Sequence, residues 1–425
     1  MRVGPGSALS ISSDRLSGRS DSLPESAPDG RIATSAETAR RYRVLMIAAC
    51  PFPVPRGTPI RILRMAQKLG ERGHDVHVVT YHLGGSTAGY PFTTDRIWAV
   101  PTYNKLEPGP SYQKLAILDP LLALKVCRLA LRFKPDVIHA HHYEGLLTAL
   151  PGRLLTRTPI VYDAHVLLDG ELEYYSLGLP GYLRRRVARF FDRRLPRRAQ
   201  HVIAVSDEIR NELLSRYGYP ESRVTVVANG VERSFFDDRS VRLPDDGFRR
   251  LVFAGNLALY QGTDKMLWAF AQVAAERTDV RLVVITDSPR EPFMALAREL
   301  GVDRAIEFRE PVLSELPGLI ATADVALNPR TRCPGTPQKL LNYLACGAPV
   351  VSFAGSAKYL ENDGNALIVT DDDIPAFARA IERLLDDPAL SRRLGAGARH
   401  FAEEHFSWDK NVLAVEDVYS RVAAA

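Results

Sequence analysis

Apolar residues along this chain fall into short runs of strand length that alternate with segments of helical spacing. The run YRVLMIAAC (42–50) is followed by PIRILRMAQKLGERG (59–73), where apolar residues recur every three or four positions, and then by DVHVVTYH (75–82). Four later runs have the same strand character, at 135–142, 158–165, 199–206 and 222–230. Strands that are apolar throughout and alternate with helices indicate a parallel, doubly wound α/β sheet.

The alternation then begins a second time. Five further strands are predicted, at 249–256, 280–287, 304–311, 323–329 and 348–355. The polar, aperiodic segment ERSFFDDRSVRLPDDGF (232–248) separates the two sets and is the best linker candidate. The sequence therefore predicts two Rossmann-like domains, over residues 41–233 and 234–407, with a ligand cleft between the carboxyl ends of their sheets.

The two ends of the chain differ from these domains. Residues 1–40 are rich in Ser, Gly and Pro and are predicted to be a disordered extension. Residues 408–425 have the spacing of one further amphipathic helix, and the spacing does not specify where this helix packs.

Composition narrows the classes of function. The chain has 425 residues, of which 46% are hydrophobic and 25% charged, and this fits a globular protein with more than one core. Its net charge of +5 is too small to indicate nucleic acid as a partner. The four cysteines lack pairing or metal-ligand spacing, and no apolar run reaches the roughly 18 residues that a spanning helix needs. Together these features predict a cytoplasmic protein without a metal site.

Two glycine-containing loops lead into predicted helices. In CPFPVPRGTPIR (50–61), Gly57 allows close approach of the backbone to a ligand, and Thr58 is placed to cap the helix. In GTPQKLLNYLACGAPVV (335–351), Thr336 has the same position before a second helix. Free N–H groups at a helix N-terminus bind anions, so both loops are candidate phosphate sites. The alternative is a plain strand–helix connection. The first loop lacks GxGxxG, so a dinucleotide cofactor is not expected.

Six segments, in this order along the chain, resemble the retaining family 4 glycosyltransferases of GT-B fold. They are RGTPIRILRMAQKLGERGHDVHVVT (56–80), PDVIHAHH (135–142), VSDEIRNELL (205–214), VVANGVE (226–232), FAGNLALYQG (253–262) and LACGAPVV (344–351). The resemblance implies two Rossmann-like, doubly wound domains that face an interdomain cleft, and a final helix that crosses back to the first domain. It implies transfer of a sugar, with retention, from a nucleotide-sugar donor to a hydroxyl of a glycan or lipid-linked glycan. It implies no cofactor and no essential metal.

The resemblance places the donor diphosphate at the loop GNLALYQG (255–262), where this chain departs from the family. The family's loop usually reads G-R-L-x-x-x-K-G, and its Arg and Lys hold the diphosphate. This chain keeps Gly255 and Gly262 but has Asn256 and Gln261 at the two cationic positions. Both amides can still donate hydrogen bonds, more weakly than cations do.

A second departure concerns the family's paired glutamates, which fall on Pro334 and Asn342. Asn342 can accept a hydrogen bond from the donor ribose through its amide oxygen, whereas proline has no polar side chain. Arg330, Arg332 and Lys339 are candidates for the missing positive charge. Lys339 lies three residues before Asn342, which predicts that it shares a helical face with Asn342 nearer the N-terminus.

His165, at the end of VYDAH, matches the histidine that the family places beside the transferred sugar. Asp163 lies two residues earlier, so both side chains point to the same face of a strand. These two residues are the predicted catalytic pair. The alternative is that His165 is only a polar strand end.

Two other functions remain open from the sequence. The changes at Asn256, Gln261, Pro334 and Asn342 are compatible with a GT-B subunit that binds ligands but has lost transfer. A nucleotide-sugar epimerase of the same fold is the other alternative.

The segment YLRRRVARFFDRRLPRRAQ (182–200) has eight arginines and one aspartate, with apolar residues among them. This pattern is typical of a helix that lies on an anionic membrane surface, here the inner face of the membrane. The alternative is an ordinary helix that packs on the first sheet.

Overall fold

The computed structural model describes residues 40–54, 57–106, 111–171, 180–237, 243, 246–333 and 337–424. The predicted extension over residues 1–40 lies outside the described residues, apart from Arg40.

Among the described residues, seven strands form the first sheet. They are β1 (Arg43–Ala48), β2 (Asp75–Thr80), β3 (Thr93–Arg96), β4 (Val137–His141), β5 (Ile160–Ala164), β6 (His201–Ala204) and β7 (Val224–Val226). All pair in parallel, in the order β3-β2-β1-β4-β5-β6-β7. Each of the six predicted strands contains one of them. Strand β3 was missed because its sequence TTDR has no apolar residue, as a polar sheet edge permits.

Six strands in the described part of the chain form the second sheet. They are β8 (Arg249–Ala254), β9 (Val280–Ile285), β10 (Ile306–Arg309), β11 (Val325–Asn328), β12 (Val350–Phe353) and β13 (Ala366–Val369). Their order is β10-β9-β8-β11-β12-β13, again all parallel. Strand β13 was not predicted, although its four residues ALIV are all apolar.

Helices connect the strands in both halves. In the first half they are α1 (Gly57–Glu71), α2 (Asp119–Phe133), α3 (His142–Thr156), α4 (Leu168–Glu171), α5 (Gly181–Arg194) and α6 (Asp207–Ser215). The remainder are α7 (Thr263–Glu276), α8 (Glu291–Glu299), α9 (Leu316–Ala321), α10 (Gln338–Ala345), α11 (Ile374–Asp386), α12 (Pro388–His405) and α13 (Trp408–Ala423). None of these helices is both long enough and apolar enough to span a membrane.

The central strands of both sheets are buried on both faces. In β1, Leu45 and Ile47 belong to one hydrophobic cluster, whereas Val44 and Met46 belong to a second one. Successive side chains of a strand point to opposite faces, so these two clusters are the two layers of helix packing around the sheet. The predicted α/β class, two doubly wound Rossmann-like sheets of GT-B type, is confirmed.

The chain passes between the two sheets twice. It leaves the first sheet after β7 through residues 227–237, and it returns through α13, which packs along α1 and over β4, β5 and β6. The backbone N–H of Val231 donates a hydrogen bond to the carbonyl of Phe406 at 2.7 Å, so the two crossings run side by side. Val415 and Val418 of α13 are fully buried in the first domain's core.

Candidate active site

Asp163 is the centre of a buried polar cluster at the carboxyl end of β5. Its side chain is fully buried, and the Nε of Arg61 donates a hydrogen bond to its Oδ2 at 3.0 Å. Burial alone would raise the pKa of Asp163, but the charge of Arg61 holds that pKa well below its usual value. Asp163 is therefore a carboxylate at neutral pH, neutralised by a guanidinium that sequence reasoning did not identify.

His165 follows directly after β5 and joins this cluster. Its Nδ1 lies 3.2 Å from the hydroxyl of Thr58 in the first turn of α1, and its Nε2 lies 3.2 Å from Nδ1 of His141. Its Nε2 also lies 3.7 Å from Oδ1 of Asp163. Burial lowers the pKa of His165 well below its ordinary value, although Asp163 opposes the shift. The imidazole is therefore neutral at physiological pH.

Two histidines of β4 complete the cluster. His139 and His141 alternate along the strand, so their rings face the same way and stack with centroids 4.4 Å apart. Nδ1 of His139 lies 2.6 Å from the hydroxyl of Tyr419, on α13. Burial lowers the pKa of His141 to about 4, so this imidazole is neutral as well.

The side chains of His139, His141 and Asp163 have the chemistry of a metal site, and their ligand atoms lie within 4.8 Å of one another. Sequence spacing did not reveal this grouping, because the three residues come from two strands. The guanidinium of Arg61 already contacts the same carboxylate, and a metal cation would be repelled by it. The arrangement therefore favours a hydrogen-bonded network over a metal centre.

The loop 255–262 joins β8 to α7 and has a short 3₁₀ turn at Leu259–Gln261. Gly262 has φ +73°, and a Cβ on it would lie 2.1 Å from the carbonyl oxygen of Pro329, so only glycine fits there. Asn256 is exposed, and its amide donates a hydrogen bond to the hydroxyl of Tyr260 at 2.8 Å. Gln261, the last residue of the 3₁₀ turn in this loop, is buried.

Lys339, the second residue of α10, contacts this loop through its side chain. Its Nζ donates a hydrogen bond to Oε1 of Gln261 at 3.1 Å and lies 4.2 Å from the ring centre of Phe253. Burial lowers the pKa of Lys339 to about 7, and the charge of Arg330 adds to the shift. The guanidinium of Arg330 lies 5.0 Å from the ring centre of Tyr260, so both cations border the same loop.

The remaining predicted donor residues have less contact with these two cations. Oδ1 of Asn342 lies 3.4 Å from the side-chain amide of Gln338, which also donates to the carbonyl of Gly230 in the first crossing. A Cβ on Gly57 would meet no described atom within 4 Å, so the space beside the first turn of α1 is open. Thr336 and Pro334 lie outside the described residues.

Two family profiles match the chain in sequence. Residues 55–235 match the family described as Glycosyltransferase Family 4, and residues 248–387 match Glycosyl transferases group 1. The chain belongs to glycosyltransferase family 4. It is therefore an enzyme of the glycosyltransferase type.

Relatives and solved structures agree with this assignment. The MMP alpha-(1->4)-mannosyltransferase of Mycolicibacterium hassiacum is 26% identical and aligns over 87% of this chain and 96% of the relative. The D-inositol 3-phosphate glycosyltransferase of Streptomyces bingchenggensis is 28% identical over 92% of this chain and 91% of the relative. The sucrose-phosphate synthase of Thermosynechococcus elongatus superposes with a TM-score of 0.71 at 19% identity, over 90% of this chain and all of that chain. Its likeness shows the shared fold.

Proposed function

We propose that this glycosyltransferase moves a sugar from a nucleoside diphosphate sugar to an acceptor hydroxyl, with retention at the anomeric carbon. The observation that carries the proposal is the position of Lys339, whose ammonium lies against the loop 255–262. A half-buried cation at this loop is suited to an anionic diphosphate, because charge-assisted hydrogen bonds to phosphate are the strong ones. The HepE protein of Anabaena, solved in complex with UDP, shares the fold at a TM-score of 0.70 and 17% identity, over 89% of this chain.

We assign donor binding to residues around the ends of both sheets. In the second domain, Lys339 and Arg330 supply charge to the departing diphosphate, and the amides of the loop add hydrogen bonds. The full proposed set is Gly57, Thr58, Gly255, Asn256, Gln261, Gly262, Arg330, Thr336, Lys339 and Asn342. Asn342 is the proposed contact of the ribose.

His165 is the proposed contact of the transferred sugar. A neutral imidazole can hydrogen-bond to a sugar hydroxyl without adding positive charge beside the anomeric carbon, where positive charge develops in the transition state. Its present partner is the hydroxyl of Thr58, which can rotate away when a sugar hydroxyl takes its place. Asp163 contacts His139, His141 and His165 and is proposed to fix their positions.

The proposed acceptor is a hydroxyl of a glycan or of a lipid-linked glycan, and the proposed reaction uses no metal. The relatives are named as mannosyltransferase and inositol phosphate glycosyltransferase, which favours transfer over a binding subunit or an epimerase.

A panel assay tests this proposal. The protein is incubated with UDP-, GDP- and ADP-sugars, with and without sugar acceptors, and release of nucleoside diphosphate is followed in EDTA. We expect one donor to give acceptor-dependent release, and proton NMR of the product to show the donor's anomeric configuration. Inversion would overturn the stereochemical part, and an altered sugar epimer without release would favour the epimerase.

We also propose that α5 binds an anionic membrane surface at the cytoplasmic face. The helix buries only Ala188 and Asp192. Its outer surface and the turn that follows it expose arginines together with large apolar side chains: Tyr182, Arg185, Arg186, Val187, Arg189, Phe190, Phe191, Arg193, Arg194, Arg197 and Arg198. Cations attract anionic headgroups while exposed aromatic rings enter the interface.

Flotation with vesicles tests the membrane proposal. We expect binding to vesicles that contain phosphatidylglycerol, and loss of binding in Arg185→Gln/Arg186→Gln/Arg193→Gln or in high salt. The matched control is Arg304→Gln/Arg379→Gln/Arg392→Gln, which removes three exposed charges from the second domain. Equal loss in both triple variants would mean that only net charge matters.

A further inference from the structure

Arg61 connects the proposed catalytic cluster to the first interdomain crossing. Its side chain is 1% exposed, and its Nε donates to Asp163. The other end of the same guanidinium donates to the carbonyls of Val227, at 2.9 Å, and Ala228, at 3.1 Å. A guanidinium is a rigid planar fork, so these acceptors are held in a fixed relation to the carboxylate.

Tyr419 connects the same cluster to the second crossing. It lies on α13 and is fully buried, and its hydroxyl lies 2.6 Å from Nδ1 of His139. The other nitrogen of His139 lies 3.6 Å from Oδ2 of Asp163, the oxygen that Arg61 also contacts. One carboxylate oxygen therefore lies between the two segments that join the domains.

The two crossings are also joined to each other at Ala228. The side-chain amide of Asn411, in the first turn of α13, donates to the carbonyl of Ala228 at 2.9 Å. Arg61 donates to the same carbonyl. Next to it, Gly230 lies so close to the ring of Trp408 that a Cβ would come within 2.5 Å. Close packing of this kind transmits displacement, because a packed interior has few voids to absorb it.

We propose that Arg61 and Tyr419 are positioning residues that couple the path of both interdomain crossings to the orientation of Asp163 and His165. His165 contacts Asp163 and His141 but neither crossing directly, so the coupling acts through the carboxylate and the β4 histidines. A shift of the second domain that moves either crossing then moves the imidazole that faces the sugar. The inference rests on the proposed role of His165.

Two variants and a matched control test the coupling. Tyr419→Phe removes one hydroxyl and keeps the ring. Asn411→Ala breaks the junction at Ala228, and the structure records no contact between Asn411 and the histidines. Tyr219→Phe removes a comparable buried hydroxyl of the first domain, one that donates to the carbonyl of Pro196 at 3.1 Å, away from Asp163.

We expect the first two variants to lower kcat about tenfold, as loss of a positioning hydrogen bond does, with KM for the donor within about twofold of wild type. We also expect them to shift the imidazole NMR signals of His165, and Tyr219→Phe to change neither. The result that would overturn the coupling is a loss of melting temperature in all three variants with unchanged kcat and unchanged histidine signals. The NMR arm needs no turnover, so it tests the coupling even if the panel assay finds no donor. If Tyr419→Phe fails to fold, Asn411→Ala decides alone.

Discussion

Nζ of Lys339 donates a hydrogen bond to Oε1 of Gln261 at 3.1 Å. Gln261 stands where the family's loop usually has a cation, and the amide now holds a lysine that comes from the neighbouring helix α10. The positive charge near the loop is therefore carried by Lys339, which contacts the loop residue Gln261, and not by residue 261 itself. This relationship is the basis of the donor site proposed above.

Lys339→Gln should weaken binding of the nucleoside diphosphate by roughly tenfold to a hundredfold, since a hydrogen bond to a charged group contributes about 1.5–3 kcal/mol. The nucleoside, which lacks phosphates, should bind equally to both proteins. Calorimetry with both ligands measures this. Lys265→Gln is the control, because Lys265 is a nearby lysine that pairs with Asp372. Equal losses for nucleoside and diphosphate would mean that Lys339 only supports the fold.

Donor affinity should depend on pH through Lys339. Its pKa is lowered to about 7 in the unliganded protein, and a bound diphosphate raises that pKa because it favours the charged ammonium. Binding at pH 7 should therefore take up about half a proton, and affinity should fall as pH rises above about 7. The measurement is calorimetry of an intact nucleotide sugar in buffers of different ionisation enthalpy. Proton uptake that persists in Lys339→Gln would assign it to another group.

His165→Ala should reduce sugar transfer far more than nucleotide affinity, because its proposed contact is with the sugar. With donor at saturation, so that the titration of Lys339 does not limit binding, the wild-type turnover rate should also show no titration near pH 6.5, since burial keeps the pKa of His165 well below that value. Turnover from pH 5 to 9 is compared with direct binding of the nucleoside diphosphate. His400→Ala, whose side chain is 74% exposed, is the control. A parallel fall in turnover and affinity would make His165 a structural residue.

Substitution by alanine should affect stability at one glycine of the proposed site and ligand binding at another. Gly262→Ala places a Cβ against the backbone of Pro329 at positive φ, so it should cost about 1–3 kcal/mol of unfolding free energy. Gly57→Ala enters open space, so it should leave the melting temperature unchanged and weaken ligand binding instead. Denaturation and calorimetry on both variants separate the two effects. Unchanged binding in Gly57→Ala would show that no ligand approaches that turn.

Most of the fold followed from the sequence because the central parallel strands are buried on both faces and are therefore mainly apolar. The sequence predicted only those contacts of the site whose residues are close together in the chain. His165 was found from the family resemblance and Asp163 from strand alternation, but Arg61 is 102 residues from Asp163, and Tyr419 is 280 residues from His139. No local pattern encodes such contacts. His139 was not predicted either, although strand alternation in VIHAHH places its ring on the same face of β4 as that of His141.

The position of Lys339 beneath Gln261 was only partly predictable. Helical spacing placed the lysine near the N-terminus of α10 on the side of Asn342. The contact with the loop depends on how α10 packs against β8. The ring centre of Phe253, on β8, lies 4.2 Å from Nζ of Lys339. The contact between Gln261 and Lys339 is therefore a result of tertiary packing.

Exchange of these two side chains shows whether a cation at this loop binds the donor diphosphate. Gln261→Lys/Lys339→Gln returns the cation to the loop and leaves the local charge unchanged. The measurement is the Kd of the nucleoside diphosphate identified in the panel assay, for wild type, Lys339→Gln and the exchanged double variant. We expect Lys339→Gln to lose roughly tenfold to a hundredfold in affinity and the double variant to recover most of it. Wild-type affinity in Lys339→Gln, or a double variant as weak as the single one, would contradict this expectation.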